Sequence, residues 1–430
     1  MPDTPKRDLK EYVDVGHSEL ENHLRTQNAQ FQSALEEAEA GRKLTDFLWL
    51  NIFGFAYHYL KSRFGPRHPY QYYPTSNDTG VYKMKVANET TQIALLSDWA
   101  SDTPESDRVG AVVAFHKPDY SIHLGDIYFV GAPSEVHDNF ISPKASWPRG
   151  KWGSLALAGN HEMYSNGAAF YKMLLPTMGV REANAVSDGL KLEMNPSDGL
   201  KPSDGLATSN NPLIGSPSDA SVIREQKAGF FCLENDYWRV IGLDTGYTSV
   251  ERPFVEILSP PDCHLRKEQV NWLKNQLHLD NPDDRRGIIF LSHHPPFSDF
   301  RKSFPRPARQ IRQLFGEFLR PVLWMWGHEH RLVGYRERKV GGLPIHGRCI
   351  GHGGMPVEID APRVDTDSIL FYDQRRRKNI RRIGVGYNGF AWLKFEQENL
   401  SIEYRDVEDK VVTGESWRIN LQSGLIEKIG

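Results

Sequence analysis

Five apolar runs of strand length each end on a residue that ionises or ligates, and this constrains the fold more than any other feature of the chain. "TQIALLSD" stops at Asp98, "YSIHLGD" at Asp126, and "GSLALAGNH" at Asn160 and His161. "GIIFLSHH" stops at His293 and His294, and "PVLWMWGHEH" at His328 and His330. The runs read as buried strands and alternate with helix-like stretches such as "SDRVGAVVAFHK" and "RKEQVNWLKNQL", the pattern of an α/β fold. The strand pair in "GFFCLENDYWRVIGLDTG" and the alternating "GYNGFAWLKFEQENLSIEYRD" are expected to complete sheets, the latter as a half-exposed antiparallel hairpin. Carboxyl ends of strands form the ligand crevice of an open α/β sheet, so these distant residues are predicted to converge.

The converging set holds two carboxylates, one amide and several imidazoles, with no cysteine. Such oxygen and nitrogen donors suit Mn²⁺, Fe²⁺ or Fe³⁺, Zn²⁺ or Co²⁺ better than copper(I) or an iron–sulfur cluster. They are too many for one ion. Two ions about 3.5–4 Å apart, sharing one carboxylate and a hydroxide, would clamp the attacking and leaving oxygens of a displacement at phosphorus. Gly125, Gly159 and Gly327 each precede one of these residues, where the chain must turn and allow close approach. One histidine at a strand end is usually a hydrogen-bonded rim residue. Five strand ends with compatible donors are not explained that way.

In order, "GD" at 125, "GNHE" at 159–162, "HHP" at 293–295 and "GHEH" at 327–330 resemble the calcineurin-like metallophosphoesterases. "SDW" at 97–99 and "GDIYF" are most similar to the purple-acid-phosphatase-like branch. The resemblance spans roughly residues 90–400 and implies a four-layer sandwich, two central mixed β-sheets flanked by helices, with a dinuclear metal centre. Carried over by position, Asp98 and His330 hold the first metal, Asp126 bridges, and Asn160, His293 and His328 hold the second. His161 then protonates the leaving oxygen, and Glu162 orients or charge-supports it. Hydrolysis of phosphoric esters is the activity implied, with monoester and diester both open.

Two departures bear on the first metal. Ala100 stands where many members have histidine, and Phe129 where purple acid phosphatases have tyrosinate. Tyr128 is one residue early, and a one-residue offset along a strand turns a side chain to the other face. The first ion would then be weakly held, completed by water, or bound by Tyr128 in an unusual geometry. The same departures favour an alternative, a catalytically degenerate metal-binding scaffold or a membrane- or polyanion-associated binding protein. His294 and His352 are candidate substrate-side groups, His294 equally a supporting one; His123 reads as structural and Asp244 as a turn cap.

Residues 1–85 read as an N-terminal helical and aromatic extension, and 86–430 as the catalytic domain. A low-complexity insertion, with "PSDGL" twice in tandem, is expected at about 182–224. With a formal net charge of −3, a nucleic acid or anionic membrane would need a local patch. Arg375, Arg376, Arg377 and Arg381 in "QRRRKNIRR" are a candidate polyanion contact, weighed against a solvated loop. The segment 47–60, "FLWLNIFGFAYHYL", is too short to span a bilayer; it reads as a helix packed on the body or an interfacial membrane contact. Three scattered cysteines and an N-terminus without an apolar signal core suggest a cytoplasmic protein.

Overall fold

A computed structural model describes residues 66–74, 78–85, 90–183, 221–250, 261–363, 367–380 and 383–430. The strands that position the site are labelled β1 (Thr91–Leu96), β2 (Tyr120–His123), β3 (Gly153–Ala156), β4 (Trp238–Leu243), β5 (Gly287–Ser292), β6 (Val322–Trp326), β7 (Leu332–Val340), β8 (Leu343–Ile350) and β9 (Gly389–Glu396). In a nine-stranded sheet, β1 pairs parallel with β2, and β2 with β3. On its other side β1 pairs antiparallel with β9, which leads into the hairpin partner Asn399–Asp406, as the alternating C-terminal sequence predicts. In an eight-stranded sheet β4, β5, β6 and β8 run parallel in that order, and β7 closes antiparallel on β8.

Successive side chains of each central strand enter different layers. Ile93, Leu95, Ile122 and Leu155 of one sheet meet Val240, Ile289, Leu291, Leu323 and Met325 of the other in an interior cluster. Ala94, Leu96 and Ala156 face outward onto Val109 and Val113 of helix α1 (Pro104–His116). Ile241, Ile288, Phe290 and Trp324 face outward onto Leu273 of α2 (Lys267–Asn275) and Ile311 of α3 (Arg306–Phe315). The result is helix, sheet, sheet, helix, which explains why the runs are apolar throughout: both faces are covered. Each fully buried aliphatic side chain contributes roughly 1.5–3 kcal/mol relative to exposure, so two covered faces supply most of the driving force. A capping box starts α1: Thr103 Oγ1 accepts from Ser106 N at 3.2 Å, and Ser106 Oγ from Thr103 N at 3.1 Å.

Described residues before 86 also contact the sheets. Val81–Lys83 is an edge strand paired parallel with Phe231–Glu234. Residues 66–74 lie against the domain as a strap: the Arg67 guanidinium donates to the carbonyls of Tyr247 and Val250, and Tyr247 Oη donates to His68 O at 2.8 Å. The first 65 residues of the expected extension, with its segment 47–60, lie outside the described residues. So does 184–220 of the insertion, whose ends are the antiparallel strands Gly179–Ala183 and Ser221–Glu225. It therefore joins two strands at the edge of the nine-stranded sheet. Among the described residues no helix is long and apolar enough to cross a membrane.

One buried ion pair ties the two sheets together. Arg348 of β8 donates through Nε and Nη2 to Glu415 at 2.6 Å each, and Tyr404 Oη donates to the same carboxylate at 2.7 Å. Both charged side chains are inaccessible to solvent, and although burial alone would raise it, the Arg348 hydrogen bonds hold the Glu415 carboxyl below its ordinary range. Removing one partner strands the other. Arg348→Met is expected to cost about 3–5 kcal/mol in urea denaturation at neutral pH, with most of that recovered in Arg348→Met/Glu415→Leu. Because Glu415 is depressed on folding, its stabilisation is full above the ordinary carboxylate pKa and is lost as pH falls through the lower folded value. Stability measured from pH 7 down to pH 2 should show this loss in the native protein and not in the double variant.

Candidate metal centre

The site is built where parallel strands of both sheets end. The chain leaves β1 at Ser97–Asp98, β2 at Leu124–Asp126 and β3 at Gly159–Asn160 in the first sheet. It leaves β5 at His293–His294 and β6 at Gly327–His330 in the second. Asp98, Asp126 and His328 take left-handed backbone conformations, with φ of 54°, 68° and 66°. Such a conformation costs a residue with a Cβ roughly 1–3 kcal/mol, strain that here aims the side chain sharply off the strand.

Asp126 is central. Its Oδ1 accepts from the His161 backbone N–H at 3.0 Å, while Oδ2 lies 3.1 Å from His293 Nε2, 3.4 Å from Tyr128 Oη and 3.6 Å from His161 Nε2. Asp98 is anchored through Oδ2 by Ser97 Oγ at 2.7 Å and the His328 N–H at 2.9 Å. Its Oδ1 then faces Tyr128 Oη at 2.8 Å and His330 Nε2 at 3.6 Å. Asn160 Nδ2 donates to Tyr164 Oη at 3.1 Å, which turns Oδ1 toward His328 Nδ1, also 3.1 Å away. His293 gives its Nδ1 to Leu124 O at 3.1 Å, leaving Nε2 for the site.

This donor set fits metal cations. Bonds of about 2.0–2.2 Å to one ion put neighbouring donor atoms about 3.0–3.4 Å apart, close to the spacings above. His293 Nε2 is buried and lacks a hydrogen-bond partner despite the nearby Asp126 oxygen, as expected of two donors turned toward a common point. One donor atom each from Asp98, Asp126 and His293 lies within 4.8 Å of the others, and the same holds for His293, His294 and His328.

Electrostatics follow from burial. Burial alone would raise Asp126, but the charges of His161 and His293 hold its carboxyl well below the usual range. Burial would lower His293, but Asp126 raises it to about 9. Burial, unopposed by a sufficient charge, lowers His161 to about 4 and His328 to about 3, and raises Asp98.

The expected ligands Asp98, Asp126, Asn160, His293, His328 and His330 all meet here, with His161 beside them. Tyr128 does not follow the strand-parity expectation. The chain has already left β2, and Asp126 is left-handed, so alternation no longer sets its face; its hydroxyl sits 2.9 Å from His330 Nε2. Glu162 and His161 make separate hydrogen bonds. As the third residue of the short helix Asn160–Tyr164, Glu162 accepts through Oε2 the N–H groups of Gly159 at 2.6 Å and Asp126 at 3.3 Å, while His161 Nδ1 donates to Phe129 O at 2.7 Å. His294 joins the imidazole cluster. Burial lowers the His352 imidazole to about 4, with Asp373 and Asp406 acting against it. Asp244 caps the following turn through Tyr247 N at 2.9 Å, and His123 packs between Phe140 and Trp147, both as expected.

Two arginines of the basic run are paired within the chain, and nothing among the described residues supports a polyanion contact there. Arg375 is held by Asp373 and Asp406, and Arg377 by Glu105. Arg376 is exposed and Arg381 lies outside the described residues.

The family model for calcineurin-like phosphoesterases matches residues 91–332, and the chain belongs to that family. No curated protein matches the sequence. Among solved structures, the chain is similar to the purple acid phosphatase PPD1 from yellow lupin (Lupinus luteus) seeds, with 14% identity and a TM-score of 0.48 over 79% of this chain and 56% of that one. It thus spans little more than half of the lupin protein. GAP50, the anchor in the inner membrane complex of Plasmodium, shares 12% identity with a TM-score of 0.46, over 78% of this chain and 91% of that one. A dimetal phosphatase from Danio rerio shares 10% identity with a TM-score of 0.41, over 77% and 99%.

The glycines before the ligands are spacers between ligand turns. A Cβ on Gly159 would stand 2.1 Å from Asp126 Oδ1, and one on Gly327 would stand 1.8 Å from Ser97 Oγ and 2.6 Å from Asp98 Oδ2. Gly159→Ala and Gly327→Ala are each expected to weaken Zn²⁺ or Co²⁺ binding about 10–100-fold, the range for disturbing groups behind a ligand, with the circular dichroism spectrum retained. Calorimetric titration checks this, and native affinity in both variants would show that the close packing does not set the ligands.

Proposed function

We propose that the chain is a metal-dependent hydrolase of phosphoric esters working through a dinuclear centre. The observation that carries this reading is the convergence of Asp98, Asp126 and His293 donor atoms within 4.8 Å, with His330 Nε2 3.6 Å from Asp98 Oδ1 and His328 Nδ1 3.1 Å from Asn160 Oδ1 on either side. Asp98, Tyr128 and His330 would hold the first ion, Asn160, His293 and His328 the second, and Asp126 would be shared. Two such ions, Mn, Fe, Zn or Co, would supply an acidified water and neutralise phosphoryl charge. The Tyr128 hydroxyl supplies a donor where Ala100 supplies none, which weakens the case for a scaffold that lost the first ion.

His161 acts on the leaving group. Its Nδ1–H is committed to Phe129 O, so Nε2 is the atom facing Asp126 and the reacting centre. Burial disfavours the imidazolium, and the negative charge of a bound phosphoryl group works in the opposite direction. Glu162 holds the Gly159 and Asp126 peptides together and so sets the distance between two ligand turns. The rim beside the second ion is aromatic and cationic: Phe304 lies against His294 and His328, with Lys302 Nζ 5.2 Å over its ring.

Elemental analysis of one preparation, assayed on a panel of mono- and diesters, should give about two ions per chain with turnover, and the panel separates the two ester classes. One ion without turnover would establish the scaffold reading. Asp126→Asn is expected to lose ion and turnover together. His161→Ala should keep its metal content while hydrolysis of esters with poor leaving groups falls about 10²–10⁴-fold and that of activated aryl esters far less. An undiminished rate on a poor leaving group would remove His161 from the role of acid.

A further inference from the structure

We infer that His294 is an additional ligand of the second ion, which would then carry three imidazoles and the Asn160 amide, and that Thr245 is the residue that positions it. The inference rests on the dinuclear reading above and extends it to a residue the strand-end motifs leave without a metal role.

Consecutive residues of an extended strand point to opposite faces, so His293 and His294 would diverge if β5 continued. The strand ends at Ser292 instead, and both rings face the cluster, their centroids 4.8 Å apart at 83°. The His294 ring lies 4.9 Å from that of His328, and one ring nitrogen each of His293, His294 and His328 falls within a 4.8 Å group. Only 3% of His294 is exposed, and Phe304 covers its outer side at 5.2 Å.

The ring is also fixed as ligating histidines are, through its other nitrogen. His294 Nδ1 is 3.0 Å from Thr245 Oγ1, which also accepts the His294 backbone N–H at 3.2 Å, so Nε2 is the nitrogen left for the centre. Thr245 is itself rigidly placed at the end of β4: Asp244 caps the same turn, and Tyr171 Oη donates to Asp244 Oδ2 at 2.9 Å. Ser292 Oγ, donating to His294 O at 2.9 Å, holds the backbone from the other side. The two ions would therefore differ in kind. The first position offers Asp98, Asp126 and the Tyr128 oxygen with one imidazole; the second is nitrogen-rich and suited to Zn²⁺ or Co²⁺ over Mn²⁺.

Titration of the metal-free full chain with Co²⁺, followed by its visible ligand-field bands, tests this without reference to turnover. The native chain should bind two ions. His294→Ala should bind one of them more than about 100-fold more weakly, beyond the range for groups behind a ligand, with the bands of that ion altered and those of the other unchanged. Thr245→Val, which keeps the imidazole but frees it, should weaken the same ion by a smaller factor; it also serves if His294→Ala fails to fold. Native affinities and native bands in a folded variant of either kind would overturn the assignment while leaving the dinuclear reading intact. A native chain that takes up no cobalt would overturn both.

Discussion

The fold depends at its centre on placing buried carboxylates and imidazoles against one another where two sheets end. Asp98 and Asp126 are almost wholly removed from water, and an unpaired carboxylate in such a place is strongly disfavoured. Protein groups offset this only in part: Asp98 keeps the Ser97 hydroxyl, the His328 N–H and the Tyr128 hydroxyl, and Asp126 keeps the His161 N–H and the neighbouring imidazoles. Cations held between the carboxylates would supply the remaining compensation and reverse the sign of the local field. The same logic explains the left-handed backbones at Asp98, Asp126 and His328, since strain at ligand-bearing turns persists when the surrounding packing leaves no alternative.

That packing comes from both sheets at once. Gly125 sits against the Gly159 N–H and His293, Gly159 against Asp126, and Gly327 against Ser97 and Asp98, so turns from opposite sheets are in contact through positions that tolerate no side chain. The interior cluster holds the sheets face to face, and the Arg348–Glu415 pair adds a directional tie within it. A shift of one sheet along the other would misplace His293, His328 and His330 relative to Asp98, Asp126 and Asn160. Stability of the sandwich and geometry of the centre are therefore one property.

Much of this was legible in the sequence. Continuous apolar runs marked strands covered on both faces, and a polar residue closing each run marked the crevice side. Glycine before Asp126, Asn160 and His328 marked the contacts between turns. What the sequence concealed lay just beyond the strands, where periodicity stops carrying information. Tyr128 enters the centre because the chain turns at Asp126, so strand parity gave the wrong face. Glu162 turns back to peptide N–H groups because it is the third residue of a helix, a local signal that its place beside His161 obscured. The short edge strand Val81–Lys83 lacked any apolar run long enough to announce it, and the partners of Arg375 and Arg377 lie partly far away in sequence, at Asp406 and Glu105.

The most direct test of the centre is a crystal of the full chain grown with Zn²⁺ or Mn²⁺ and examined by anomalous scattering at the metal edge. Two peaks are expected, one on each side of Asp126, the first touching Asp98 and His330 and the second touching Asn160, His293 and His328. A single peak remote from Asp126, or none among these strand ends at saturating metal, would contradict it.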